Sequence, residues 1–156
     1  MRLEHAIIAL GLCGLTAPLA AQDLTWRNDI QPLVKEQCGK CHGANSPSYE
    51  DWNLDRKSFE AKKIGPRMDN YTDFMRHVVW PATGSMQRRL DDGKNAEGKP
   101  GNMFKYLGET DQDRERNLEK LKTWLGEGAW NLNRWEARGN VPAVTKEQLD
   151  KIKARY

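Results

Sequence analysis

Cys38-Gly39-Lys40-Cys41-His42 is the stretch around which the rest of this chain is organised. Two thiols at this separation can add across the two vinyl groups of a haem, and the imidazole beside the second thiol reaches the iron from the same face. The porphyrin itself dictates that spacing. Other uses of the pair fit less well. A structural zinc wants four protein ligands, yet beyond residue 21 the chain offers only Cys38, Cys41, His42 and His77, with no second cysteine pair. A thioredoxin-like CxxC needs a strand and a helix around it, and the surrounding pattern supplies no strand. A small disulfide stays open on sequence grounds, because the start of the chain points to an oxidising compartment.

That start carries Arg2, an apolar run from Ala6 to Ala17, and Pro18-Leu19-Ala20-Ala21 ahead of polar Gln22 and Asp23. Residues 1–21 read as a secretory signal peptide, which places the mature chain in the periplasm, with an uncleaved N-terminal anchor as the alternative. The run is too short for a membrane span, which takes about 20 residues. Cys13 lies within it, preceded by Leu12 where a lipoprotein site carries a small residue, and is discarded with the leader.

Composition agrees with one small domain: 156 residues, 38% hydrophobic and 30% charged. With 8% aromatics and a mean hydropathy of -0.85, the chain is lean for a core of its own. A buried apolar cofactor would supply the missing surface. The net charge of +3 falls to roughly +1 with two haem propionates. Basic residues are mixed with acids, without the basic, aromatic-bearing stripe that nucleic acid requires, so nucleic-acid binding is excluded.

Working outward from the box, Ile30, Leu33, Val34, Cys38 and Cys41 recur at helical spacing, with Asp29 as a candidate cap and Pro32 in the first turn. Residues 43–57 are rich in Gly, Asn, Ser, Pro and Asp and read as a loop, followed by a short helix over 58–63. Tyr71, Phe74, Met75, Val78 and Val79 fall on one helical face, which Pro81 terminates. From 91 to 102 the chain is a polar, glycine-bearing loop. Thr110 opens a strong helix with Asp111 and Asp113 in its first turn and Leu118, Leu121, Trp124 and Leu125 as its stripe, ended by Gly126 or Gly128. A last short helix starts at Thr145 with Gln148. The domain plan is therefore leader 1–21, haem domain 22–129 and extension 130–156.

The chain resembles a class I cytochrome c, most closely the cytochrome C domains described from planctomycetes. The similarity rests on Asp29-Ile30-Gln31-Pro32-Leu33 ahead of the box, Asn53-Leu54-Asp55 after it, Pro81 to Leu90, Met103, and Trp124-Leu125-Gly126-Glu127-Gly128-Ala129. It covers about residues 26–129. The resemblance implies an all-α cytochrome c fold around one covalently bound haem c. Cys38 and Cys41 would be the attachment points and His42 the proximal iron ligand, its second ring nitrogen held by a backbone carbonyl. The family often takes that carbonyl from a downstream proline; here Pro47 follows unusually soon.

The resemblance also implies a methionine on the opposite face of the iron. Met103, which follows the polar loop and precedes the Thr110 helix, is the choice, with Met86 as the alternative. His77 or an open position come behind these. Met75 reads as core filler, Met68 as a loop residue, and His77 as a solvated surface histidine. Trp52, Trp80 and Arg67 are candidate donors to the propionates, although packing and solvation account for them as well. Lys40, Lys99 and Lys105 could face an acidic partner at the haem edge, or simply be soluble surface.

The expected function is single-electron transfer between redox partner proteins, without catalysis. Two alternatives remain: a haem enzyme or gas or peroxide sensor with a labile sixth position, and a cytochrome subunit of a larger oxidoreductase complex docked through Trp130, Trp135 and Tyr156.

Overall fold

The computed structural model describes residues 23–94, 98–132 and 141–156. The expectations for the leader, Cys13 and Trp135 lie outside them. Among the described residues the chain is helical and contains no strand. A π-helical turn, Trp26–Ile30, runs straight into α1 (Gln31–His42), followed by α2 (Tyr49–Leu54), α3 (Arg56–Ala61), α4 (Tyr71–Arg76) and α5 (Ser85–Leu90). A 3-10 turn, Phe104–Tyr106, then precedes α6 (Asp111–Leu125), α7 (Glu127–Trp130) and α8 (Lys146–Leu149).

Local expectations change at several points; the helix read as running up to Pro81, for one, ends at Arg76. The first helical segment is capped by Thr25, whose hydroxyl accepts from Asn28 N–H; Asp29 instead turns back to accept from the Thr25 N–H at 2.9 Å. The loop read over 43–57 contains α2, because Ser48 caps it by accepting from Asp51 N–H while its own hydroxyl donates to the Asp51 carboxylate. The Ser48-x-x-Asp51 spacing carried that signal in the sequence. At α6 the chain follows its pattern: Thr110 and Asp113 form a reciprocal capping box, worth about 1 kcal/mol. Gly126 closes the helix at φ 81°, a left-handed value that a side chain tolerates poorly.

The core is built where the first helical segment meets α6. Trp26 is 1% exposed, with its ring 5.2 Å from Phe74 and 5.8 Å from Trp124, and Ile30, Val34, Leu121 and Leu125 complete the packing. Truncating such a residue to alanine costs about 3–5 kcal/mol. The extension beyond residue 130 is built onto the same core. The Arg155 carbonyl accepts from both Trp26 N–H and the Trp124 indole at 2.8 Å, the Ala154 carbonyl accepts from the Tyr71 hydroxyl at 2.8 Å, and the Ala154 side chain is buried. Trp130 is buried as well, and Tyr156 stands edge-on to Tyr71.

Candidate haem site

Cys38 and Cys41 lie on the last turn of α1, three residues apart and therefore on one face. Both thiols are free, so the pair does not form a disulfide. Burial, with the neighbouring Cys41 adding to it, pushes the Cys38 thiol up to about 11, which keeps it as S–H at neutral pH. His42 is the final residue of the helix. Its carbonyl accepts from Met68 N–H at 2.9 Å, and the Cys41 carbonyl accepts from Gly65 N–H at 2.8 Å. The segment 65–68 is thereby latched along the end of α1.

That latch supplies the acceptor the sequence left open. His42 Nδ1 donates to the Pro66 carbonyl at 2.7 Å, which leaves Nε2 as the nitrogen with a lone pair to offer a metal. Pro47 does not take this role; its carbonyl accepts from Arg67 N–H. Gly65-Pro66, its proline 24 residues on from His42, was the available signal. Gly65 is required by space: an ideal Cβ there would lie 2.0 Å from His42 Cε1. Burial and the Arg89 charge lower the His42 pKa despite the opposing Pro66 bond, so the ring is held neutral.

Of the candidate sixth ligands, Met86 lies on α5 and Met103 is bonded to its far end through the backbone. Met86, in its first turn, is 6% exposed and donates its N–H to the His77 carbonyl at 2.9 Å. Met103 donates its N–H to the Arg89 carbonyl at 2.9 Å, and Gly101 N–H donates to the Asp91 carbonyl at 2.8 Å. These bonds draw the polar loop back onto α5. The Met103 side chain is only partly covered by protein, as are Cys38, Cys41 and His42.

Other sequence candidates resolve differently. Met68 sits in a loop but is buried in the core, and Met75 packs partly buried against it. His77, expected in solvent, is 7% exposed. It lies at the C-terminal end of α4, folded under the first turn of α5. The Trp52 indole donates to the Ile64 carbonyl at 3.0 Å, Arg67 pairs with Asp69 at 2.5 Å, and Trp80 is 61% exposed. Lys40, Lys99 and Lys105 are exposed.

The residues fit a covalently attached haem: two free thiols on one helical face, a neutral imidazole with one nitrogen anchored and the other available, and a side-chain-free glycine pressed against that ring. Among the described residues, no three His, Cys, Asp or Glu side chains gather as a cage for a bare metal ion.

The family profile described as PccH cytochrome c matches residues 25–156. The solved structure of monoheme cytochrome PccH from Geobacter sulfurreducens is 41% identical, covering 86% of this chain and 99% of that one, with a TM-score of 0.73. No curated protein matches the chain. With the attachment box, the helical fold and the profile coinciding over the same residues, the chain belongs to the PccH cytochrome c family, a c-type cytochrome of electron transport with one covalently bound haem c and its iron.

Proposed function

We propose that the chain is a periplasmic carrier of single electrons, with Cys38 and Cys41 holding the haem, His42 as proximal ligand and Met103 as sixth ligand. The observation that carries this reading is the anchored imidazole: the His42 Nδ1 bond to the Pro66 carbonyl fixes the tautomer and leaves the lone pair on Nε2. Bound haem supplies a ferric/ferrous couple. The protein's work is to hold both axial donors in place so that neither oxidation state needs a large rearrangement. Segment 65–68 does this for His42, and the Met103 and Gly101 bonds to the end of α5 do it for the thioether.

Met103 is favoured over Met86 because it follows the polar loop and precedes α6, the order in which the resemblance brings the methionine to the haem, and because its side chain is the less covered of the two. A thioether at this position favours reduced iron relative to a second histidine. With both positions filled, the iron offers no site for substrate, which supports a carrier and not an enzyme. The tail's backbone bonds to Trp26, Tyr71 and Trp124 support its reading as a closing element of the same domain, and redox partners then meet the haem domain directly. Residues 1–21 are the proposed export leader. No helix among the described residues is long and apolar enough to cross a membrane.

Optical spectra of the purified protein in both oxidation states, beside Met103→Ala and Met86→Leu, test the ligation. The sulfur-to-iron charge-transfer band should vanish in Met103→Ala and persist in Met86→Leu. The reverse pattern would assign the iron to Met86. Rapid carbon monoxide binding by the reduced parent at neutral pH would overturn the carrier reading.

A further inference from the structure

His77 is a buried group that electron carriage through His42 and Met103 leaves without a task. Its Nδ1 lies 3.1 Å from Ser85 Oγ, and the Ser85 hydroxyl in turn donates to the His77 carbonyl at 3.2 Å. With the serine proton committed to that carbonyl, Nδ1 donates to the serine oxygen and Nε2 keeps a bare lone pair. The His77 Nε2 atom is buried and has no hydrogen-bond partner among the described residues. Leaving such an acceptor unsatisfied is costly, so its retention calls for a reason.

The pattern repeats that of the proximal ligand. His42 also anchors Nδ1 on an oxygen and leaves Nε2 open, which is how proteins prepare an imidazole for a metal. The Tyr49 ring stands edge-on to His77 at 5.4 Å between centroids and fixes its plane. Its place is equally specific. The His77 carbonyl accepts from the first turn of α5 through Met86 N–H, while Met103 is bonded to Arg89 near the other end of that helix. Ser85 and Arg89 are four residues apart, roughly 6 Å along the axis. Both donors are therefore latched to one short helix. Burial, with Arg89 and Arg76 charged nearby, holds the His77 ring neutral, its pKa lowered to about 3; His42, which also disfavours a proton there, and Arg89 belong to the haem site.

We propose that His77 is a reserve axial ligand, which takes the sixth position through Nε2 when the Met103 thioether is withdrawn. This rests on the ligation proposed above. One dative bond replaces another, the imidazole keeps its Nδ1 proton, and no electron is exchanged. The consequence is that displacement of Met103 yields a closed site with two nitrogen ligands instead of an open site, and a lower reduction potential, since imidazole favours ferric iron relative to a thioether.

The test uses the haem-loaded protein. Met103→Ala should be low-spin by electron paramagnetic resonance, with a near-infrared signature of two imidazoles, and should react slowly with carbon monoxide when reduced. Met103→Ala/His77→Leu should be high-spin, and added free imidazole should return it to the low-spin form, showing that the pocket survives. Should the leucine variant fail to fold, His77→Gln, which keeps a polar group beside Ser85, takes its place. A high-spin Met103→Ala, or a double variant whose low-spin spectrum matches that of the single one, overturns the proposal. Retention of the charge-transfer band in Met103→Ala removes Met103 as the resting ligand, and the reserve role with it.

Discussion

Replacing Gly65 by alanine should strike the proximal ligand without touching it chemically. The new Cβ would lie 2.0 Å from His42 Cε1, 2.4 Å from Nδ1 and 2.7 Å from Nε2, against an ordinary contact of at least 3.4 Å. The ring or the segment must move by about 1.4 Å to relieve the closest overlap. Neither has free room. His42 directly follows Cys41, the proposed attachment point, and the segment is tied to α1 by Gly65 N–H to the Cys41 carbonyl and Met68 N–H to the His42 carbonyl. The 2.7 Å bond from Nδ1 to the Pro66 carbonyl has too little slack to absorb such a shift. Overpacking costs about 1–3 kcal/mol, and losing the hydrogen bond adds about 0.5–1.5 kcal/mol. A net destabilisation of about 2–4 kcal/mol is therefore expected. Denaturant unfolding of Gly65→Ala followed at the Soret band measures it, and the same samples should show an altered potential, because the Pro66 bond tunes the imidazole as a donor. A variant within about 0.5 kcal/mol of the parent, with an unchanged spectrum and potential, would refute the claim that Gly65 exists to admit the ring.

Three further outcomes follow from particular contacts. Deleting residues 152–156 removes the carbonyl acceptors of Trp26, Trp124 and Tyr71. At about 0.5–1.5 kcal/mol for each bond the melting temperature should drop well below that of the parent, whereas a partner-docking tail could be lost with no change in stability. Thr110→Ala breaks the α6 capping box and should cost about 1 kcal/mol, read from the denaturant midpoint with the haem spectrum unaltered. Acid stability should depend on His77, whose pKa burial lowers to about 3 from the ordinary histidine value of 6.5. The unfolded chain takes up a proton below pH 6.5 that the folded one refuses. Stability is thus intact above that pH and falls between 6.5 and 3 by up to about 1.4 kcal/mol per pH unit. Unfolding measured across that range should show a shallower acid slope in His77→Gln, and an identical slope would remove His77 from the account.

Whatever rests on near neighbours along the chain is legible from residue order alone. The haem box is five consecutive residues, the α6 capping box spans Thr110 to Asp113, and the α8 cap spans Thr145 to Gln148. In each case the chemistry closes within one helical turn, so residue type and spacing suffice. Tertiary structure decided every relation between distant segments. The acceptor for His42 comes from Pro66, 24 residues away, and proline's identity says nothing about where its carbonyl points. His77 falls off the apolar stripe of its own helix, so a pattern confined to α4 places it in solvent. Burial comes from the turn into α5, which folds Ser85 and Met86 over it. The tail likewise joins the core largely through backbone carbonyls, which are the same for every residue and leave no mark in composition. Local chemistry is written in side chains, but the docking of one segment on another is settled by backbone groups and space, and those appear only once the chain has closed on itself.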